Sequence, residues 1–274
     1  MVPALTAKAQ AISQGVRRAL PDLLLVGVVV AFGLWRLRAL VGCEYACLQD
    51  YSRDLPYEFY TIHAFARQAL DQGSFPFWDP HIMAGHPVGA QFGNSLLYPP
   101  LWIWLLLAGP GTYTPRAEEL LLVVHLVGAG AAIYASARLL GFGRVGALVA
   151  GLIYAGMPQS FPMLQWPPMI FGIPWVPLTL AAWLRLMDSP RPSQAVGLLW
   201  LLGLSGALLL MTAHPNLPAY TWLSMALAAG MALLRDAITR RRGPRLLLRH
   251  ALELGLAAVL PVVLAALFVV PLLL

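Results

Sequence analysis

The stretch that decides the fold is 117–140, AEELLLVVHLVGAGAAIYASARLL. After its two glutamates it is almost wholly apolar, and it exceeds the about 20 residues that a helix needs to cross the hydrocarbon layer of a membrane. Similar apolar runs occupy 21–41, 145–157, 169–186, 195–212, 217–234 and 251–274. The sequence therefore predicts an all-α, polytopic membrane protein with about seven transmembrane helices.

The composition supports this class. Hydrophobic residues make up 59% of the 274-residue chain, charged residues make up 11%, and the mean hydropathy is +0.71. These values lie outside the range of ordinary globular domains and exclude a water-soluble core. The net charge of +6 could indicate a nucleic-acid partner. On a membrane protein, however, the distribution of basic residues is first compared with the positive-inside rule.

The basic residues follow that rule. If the N-terminus is cytoplasmic and the spans alternate, most of the 18 basic residues fall on the cytoplasmic side. They are Lys8, Arg17, Arg18, Arg138, Arg144, Arg185, Arg191, Arg235, Arg240, Arg241, Arg242, Arg245 and Arg249. Membrane topology thus explains the positive charge, and no nucleic-acid partner is expected.

The predicted organisation is a single transmembrane domain over 1–274. A cytoplasmic lead (1–20) and a first span (21–41) precede a long non-cytoplasmic loop (42–116), and about six further spans follow in 117–274. Within the loop the apolar segment 96–108 is too short to cross, which predicts an interfacial or re-entrant helix. Because the chain stops at Leu274 in apolar sequence, we expect it to be the N-terminal part of a longer protein.

The loop concentrates the candidate chemistry. Apolar residues recur at helical spacing after Asp54, which predicts an amphipathic helix over 55–72 lying on the membrane surface, with Asp54 at its N-terminus. Asp54 fits a helix cap, and it equally fits a general base toward an acceptor hydroxyl or a ligand of a divalent cation such as Mg²⁺ or Mn²⁺. Glu58 would share its face, although a solvated surface carboxylate is the simpler interpretation.

Other candidates lie near the predicted outer face. Arg36, Arg38 and Arg53 could bind a lipid phosphate, while snorkelling alone also explains Arg36 and Arg38. Trp78 could stack on a sugar or anchor the interface. His86 belongs to a Gly- and Pro-rich turn segment, and its spacing from neighbouring ligand types matches no standard zinc pattern.

Three further features stay open. His214 lies in a turn that nearby prolines fix, either as a binding group or as a helix cap. Cys43 and Cys47 could pair on an oxidising side or remain thiols on one helical face. The segment ending at Cys43 looks like a lipoprotein cleavage box, but Arg36 and Arg38 interrupt the apolar region before it, which favours a retained span.

Several motifs, in this order and spacing, resemble the first external loop and following spans of the YfhO-like bacterial membrane proteins, within the GT-C class of glycosyltransferases. They are Asp54-Leu55, Gly73 with Phe75-Pro76-Phe77-Trp78-Asp79-Pro80, Gly85-His86-Pro87, Leu97-Tyr98-Pro99-Pro100, Ala137-Arg138-Leu139-Leu140-Gly141-Phe142 and Ala213-His214-Pro215-Asn216. The last motif departs from the family's Gly-His-Pro-Gln turn, since Ala213 and Asn216 replace Gly and Gln. Family members are also much longer than this chain.

The resemblance implies a GT-C fold in the bacterial cytoplasmic membrane. It implies transfer of a sugar from a polyprenyl-phosphate carrier to an extracytoplasmic acceptor, with Asp54 in the active centre. Two other functions remain open: a transporter or flippase of a lipid-linked precursor, and a noncatalytic membrane subunit. Transport usually requires ionisable residues near mid-membrane, and His125 is the main candidate that the spans offer.

Overall fold

The structure is a computed structural model that describes residues 2–42, 54–90, 93–111, 113–157, 164, 166–188, 191–212, 214–239 and 244–273. Every extended regular element in these ranges is helical, which confirms the all-α prediction. Cys43, Cys47 and Arg53, which were the subject of predictions above, lie outside the described residues.

The helices begin and end where local sequence favours it. In chain order they are α1 (Val2–Arg36), α2 (Arg38–Val41), α3 (Tyr60–Asp71), α4 (Pro99–Leu107), α5 (Pro115–Leu139), α6 (Arg144–Ala155), α7 (Pro167–Gly172), α8 (Trp175–Met187), α9 (Pro192–Met211), α10 (Asn216–Thr239) and α11 (Pro244–Leu273). Many of them begin with proline, because a backbone N–H in the first turn of a helix has no acceptor within the helix and its absence from proline costs nothing. Thr114 caps α5 by accepting a hydrogen bond from the Ala117 N–H, and Gly141 follows α5 at a φ of +92°.

Five segments of the described chain are long and apolar enough to cross a membrane. They are Ala19–Arg36, Pro115–Leu139, Pro167–Met187, Ser193–Met211 and Asn216–Arg235. Each coincides with a predicted span, which is consistent with a polytopic membrane protein. The other two predicted spans correspond to the shorter apolar helices Arg144–Ala155 and Ala258–Leu267, and the total of seven stays a prediction.

The first span ends earlier than predicted. α1 is continuous from Val2 to Arg36, so the polar lead is helical as well. The helix is interrupted at Leu37, and the short α2 follows. Arg36 is therefore the last residue of the span, and Arg38 lies beyond it.

Polar contacts at both ends show that α1 and α5 run antiparallel. At one end, Asp22 pairs with Arg138 at 2.8 Å and with Arg144 at 3.1 Å. At the other end, Arg116 donates hydrogen bonds to the carbonyls of Leu40 and Val41. We call these the basic end and the loop end of the bundle. Since both α1 and α5 are candidate spans, the loop between them begins and ends at the same face.

The short helix α4 lies in this loop, and its length shows whether it can cross the membrane. A helix of nine residues is about 13 Å long, well short of the about 30 Å hydrocarbon layer. Leu101 and Leu105 are fully buried, whereas Ile103, Leu106 and Leu107 are more than half exposed. α4 therefore packs one face on the protein and leaves an apolar face open, which agrees with a segment that does not cross.

The prediction for α3 was right about the helix and wrong about its surroundings. Its apolar face, including Ile62 and Ala66, is buried in the same cluster as Leu101 and Leu122, while exposed positions such as Thr61 and Gln68 are polar. The protein itself therefore covers the apolar stripe, and α3 is part of the core rather than a helix lying on the membrane surface.

Small residues allow the spans to approach closely. A Cβ on Gly130 would lie 2.9 Å from both Ala155 Cβ and Val29 Cγ1, and one on Gly151 would lie 3.0 Å from Val29 Cγ2. α1, α5 and α6 thus meet through glycines, as is common where helices pack without a hydrophobic driving force.

Candidate functional site

Asp54 stands at the head of the first helical segment in the described part of the loop, as predicted. It precedes a π-helical turn, Leu55–Phe59, that continues into α3, and its side chain is partly exposed. Its backbone is helical and its carboxylate makes no capping hydrogen bond to the turn, so the capping role does not hold. Capping therefore does not occupy the carboxylate oxygens. Glu58, four residues further along, is exposed.

The two described arginines at the end of the first span have different surroundings. Arg36 is partly buried, and Arg38 is exposed. Arg38, the first residue of α2, folds back on the end of α1: it donates a hydrogen bond to the Trp35 carbonyl at 3.0 Å, and its guanidinium carbon lies 4.9 Å from the Trp35 ring centre. Trp35 is 57% exposed, so the pair resembles an anchor at the membrane interface.

Trp78 and His86 belong to one tight hairpin. The backbones of Asp79 and His86 exchange two hydrogen bonds of 2.8 Å, and the Asp79 carboxylate accepts a third from the His81 N–H. Gly85 has a φ of +118°, and a Cβ there would lie 2.3 Å from the Trp78 ring. The segment is therefore shaped, and 57% of Trp78 remains exposed above it.

His214 lies in the turn between α9 and α10, at the loop end. The preceding Thr212 carbonyl accepts a hydrogen bond from Ser95 Oγ at 2.8 Å, which ties this turn to the first loop. His214 Nδ1 is buried and has no hydrogen-bond partner among the described residues. Burial lowers the pKa of His214, so its imidazole is neutral at pH 7.

Sequence reasoning missed a buried ionisable pair beneath the loop. His63 on α3 and Glu118 on α5 are 0% and 1% exposed, and His63 Nδ1 lies 2.8 Å from Glu118 Oε2. His63 Nε2 lies 3.0 Å from the carbonyl oxygen of Asn94, which can only accept. Tyr113 donates to the same carboxylate oxygen at 3.0 Å. Both ring nitrogens of His63 therefore face acceptors, as in an imidazolium paired with a carboxylate.

The electrostatics agree with this assignment. Burial acts to lower the pKa of His63, but the charge and hydrogen bond of Glu118 outweigh it, and the pKa is raised. Burial and the neighbouring Glu118 raise the pKa of Tyr113, which keeps its hydroxyl as a donor. Glu118 Oε1 has no hydrogen-bond partner within the described part of the chain.

A second buried chain of hydrogen bonds runs through Tyr98. His125 Nδ1 donates to the Leu121 carbonyl at 2.8 Å, so its Nε2 accepts from the Tyr98 hydroxyl at 2.9 Å. Trp175 Nε1 in turn donates to the Tyr98 oxygen at 2.8 Å. His125, the ionisable residue that the spans offered for transport, is thus fixed in place by neighbours on both ring nitrogens.

An apolar cleft lies beside this chain. It has a volume of about 700 Å³ and is bounded by residues of α1, α4, α5 and α8. His125 and Trp175 are among its few polar lining groups, and exposed side chains such as Ile103, Leu107 and Val124 form its rim. A cleft that is almost entirely apolar and opens between spans suits a hydrocarbon chain.

The described residues do not by themselves supply a metal site. No group of three or more His, Cys, Asp or Glu side chains that could hold a metal ion occurs among them. A Mg²⁺ or Mn²⁺ ion at Asp54 would need further oxygen ligands from a substrate phosphate or from elsewhere in the chain.

The predicted site residues that the structure describes lie on four structural units. Arg36 and Arg38 lie where α1 meets α2, Asp54 and Glu58 at the turn before α3, Trp78 and His86 in the hairpin, and His214 in the turn after α9. Comparison with known proteins adds no assignment: no family model, no curated protein and no solved structure matches this chain.

Proposed function

We propose that the chain is a membrane glycosyltransferase that takes a sugar from a polyprenyl-phosphate carrier and transfers it to an extracytoplasmic acceptor. The observation that supports this function best is the apolar cleft of about 700 Å³ between the spans. Leu121 and Trp104 line the cleft, and both belong to or pack on the same apolar cluster as Leu55, the residue that follows Asp54. A lipid-sized groove and a partly exposed carboxylate are thus joined through one packed core.

In this proposal Asp54 is the general base. The acceptor hydroxyl oxygen attacks the anomeric carbon of the sugar and forms the new glycosidic bond, while its proton passes to the Asp54 carboxylate. The bond between the anomeric carbon and the carrier phosphate breaks, and the phosphate leaves with the electron pair. Inversion at the anomeric carbon follows from this direct displacement.

The leaving phosphate gains negative charge, which cationic groups stabilise. Arg36, Arg38 and Arg53 are the candidate cations that precede Asp54 in the sequence, and a guanidinium can donate two hydrogen bonds to one phosphate. Glu58, Trp78, His86 and His214 are the proposed contacts to the sugar and acceptor. Trp78, whose ring is 57% exposed, offers a face on which a sugar can stack.

The proposal includes the orientation of the chain in the membrane. Asp22, Arg138 and Arg144 meet at the basic end, so the positive-inside rule favours placing that end in the cytoplasm of a bacterial inner membrane. The loop end then faces outward, where lipid-linked sugars are used for envelope polymers, lipids or proteins. A reporter fused after Gly93 is expected to be active only outside the cytoplasm; cytoplasmic activity would overturn this orientation.

The transfer assay separates this function from transport. Purified protein in liposomes is supplied with a polyprenyl-phosphate sugar labelled in the sugar, together with extracts of envelope acceptors. We expect label to move from the carrier to an acceptor, with release of polyprenyl phosphate. Movement of intact labelled carrier between leaflets without cleavage would instead establish a flippase. If neither transfer nor movement were observed, a noncatalytic subunit would be favoured.

A further inference from the structure

The basic end contains a second cleft, far from the loop. It has a volume of about 430 Å³ and lies between α5, α8 and α9. Its polar lining side chains are Arg138, Arg185 and Gln194, and its walls are completed by Leu139, Gly197, Leu198 and Leu201. No acidic residue is among these lining residues, so the cleft presents two guanidinium groups beside an apolar wall.

We propose that this cleft binds the headgroup of an anionic phospholipid, with the lipid phosphate between the two guanidinium groups. An arginine fork matches the oxygens of a phosphate, and the Gln194 amide adds a donor. The leucines would contact the glycerol and the first methylenes of the acyl chains. Basic clefts between spans are suited to such headgroups, because they join phosphate recognition to the apolar layer.

Both arginines retain capacity for a ligand. Arg138 uses Nε on Asp22 and Nη1 on the Phe142 carbonyl, which orients the guanidinium without using all of its five N–H donors. Arg185 pairs with Asp188 at 3.0 Å, but their side chains are 41% and 63% exposed, so that pair is weak and open to exchange.

Two further features favour a ligand in this cleft. The N-terminus of the 20-residue helix α9 lies here, and the positive end of a helix dipole favours an anion. Gly197 faces open space, since a Cβ at that position would meet nothing within 4 Å. A phosphate with its glycerol fits where a larger side chain would intrude. Lipid binding in this cleft does not depend on sugar transfer, because the cleft lies at the opposite end of the bundle from Asp54.

The test measures lipid retention by native mass spectrometry of the purified full chain. Phosphatidylglycerol and phosphatidylcholine with identical acyl chains are titrated separately. We expect one phosphatidylglycerol to be retained about tenfold more tightly than phosphatidylcholine. Arg185→Gln removes one fork, and Gly197→Leu fills the cleft while improving helix propensity, so each should weaken retention about tenfold.

The matched control is Arg191→Gln, which removes the same charge from an exposed residue of the basic end that does not line the cleft. Its affinity for phosphatidylglycerol should stay within about twofold of the wild type. Equal weakening by Arg191→Gln would reduce the effect to diffuse charge, and wild-type binding by both cleft variants would reject the site. Complete displacement by millimolar inorganic phosphate would show a free-anion site instead of a lipid site.

Discussion

Replacing Glu118 with alanine tests how the loop is held on the bundle. Glu118 Oε2 accepts from His63 at 2.8 Å and from Tyr113 at 3.0 Å, so the substitution leaves two buried donors without their acceptor. Each orphaned group costs about 1–3 kcal/mol, and removing one member of a buried ion pair costs about 3–5 kcal/mol in total. We therefore expect Glu118→Ala to lower the free energy of unfolding by about 3–5 kcal/mol.

The assay is thermal unfolding of the purified protein in detergent, followed by tryptophan fluorescence. About 1 kcal/mol corresponds to about 2–4 °C for chains of about 150–250 residues, so the apparent Tm should fall by about 10 °C. The matched control is Glu58→Ala, which removes an exposed carboxylate of the same loop and should change stability by less than about 0.5 kcal/mol. An apparent Tm of Glu118→Ala equal to that of the control would refute the pair.

A double substitution refines this test. His63→Leu with Glu118→Leu removes both buried charges and should be clearly less destabilising than the sum of the two single changes, because neither charge is left unpaired. Strictly additive losses would mean that the two side chains do not interact.

The remaining predictions concern pH and close packing. Because the pKa of His63 is raised in the folded chain, its contribution to stability is full below about pH 6.5 and disappears as pH rises through the folded value; equal melting curves at pH 6 and pH 9 would contradict this. Gly130→Leu should lower the apparent Tm and the yield of folded protein, since even a Cβ would lie 2.9 Å from Ala155. Gly85→Ala should destabilise the hairpin and raise protease cleavage there, because Gly85 has a φ of +118° and the added Cβ would lie 2.3 Å from the Trp78 ring. Unchanged cleavage would contradict this prediction.

Hydropathy was sufficient to locate the spans. The stretch 117–140 became Pro115–Leu139, because a long apolar run without internal breakers has few alternatives to a membrane helix. It was less informative for the fourth predicted span, 169–186, which is built from two helices, α7 and α8, with a turn at Ile173 and Pro174. Hydropathy averaged over a window does not resolve a short break between two apolar helices.

The sequence did not show which apolar medium covers α3. An amphipathic pattern gives the buried face of a helix, yet membrane and protein core both satisfy it. The signal for the core was His63, which falls at helical spacing among the apolar residues Phe59, Ile62 and Ala66. A histidine on such a face needs partners that a lipid surface does not provide.

The ionic partner of that histidine was also out of reach. Glu118 lies 55 positions away along the chain, and only the antiparallel arrangement of α1 and α5 brings α3 against the head of α5. Two adjacent acidic residues at the start of an otherwise apolar span were the available signal, because ionisable groups at such positions are costly unless paired.

We propose Asp54 as the general base of sugar transfer at the loop end. The most direct measurement compares initial rates of transfer from a labelled polyprenyl-phosphate sugar for wild type, Asp54→Asn and Asp188→Asn, the last being an exposed carboxylate at the basic end. Loss of a general base typically slows a reaction by about 10²–10⁴-fold. We predict such a loss for Asp54→Asn at wild-type melting temperature and a normal rate for Asp188→Asn; full activity of Asp54→Asn would contradict the claim.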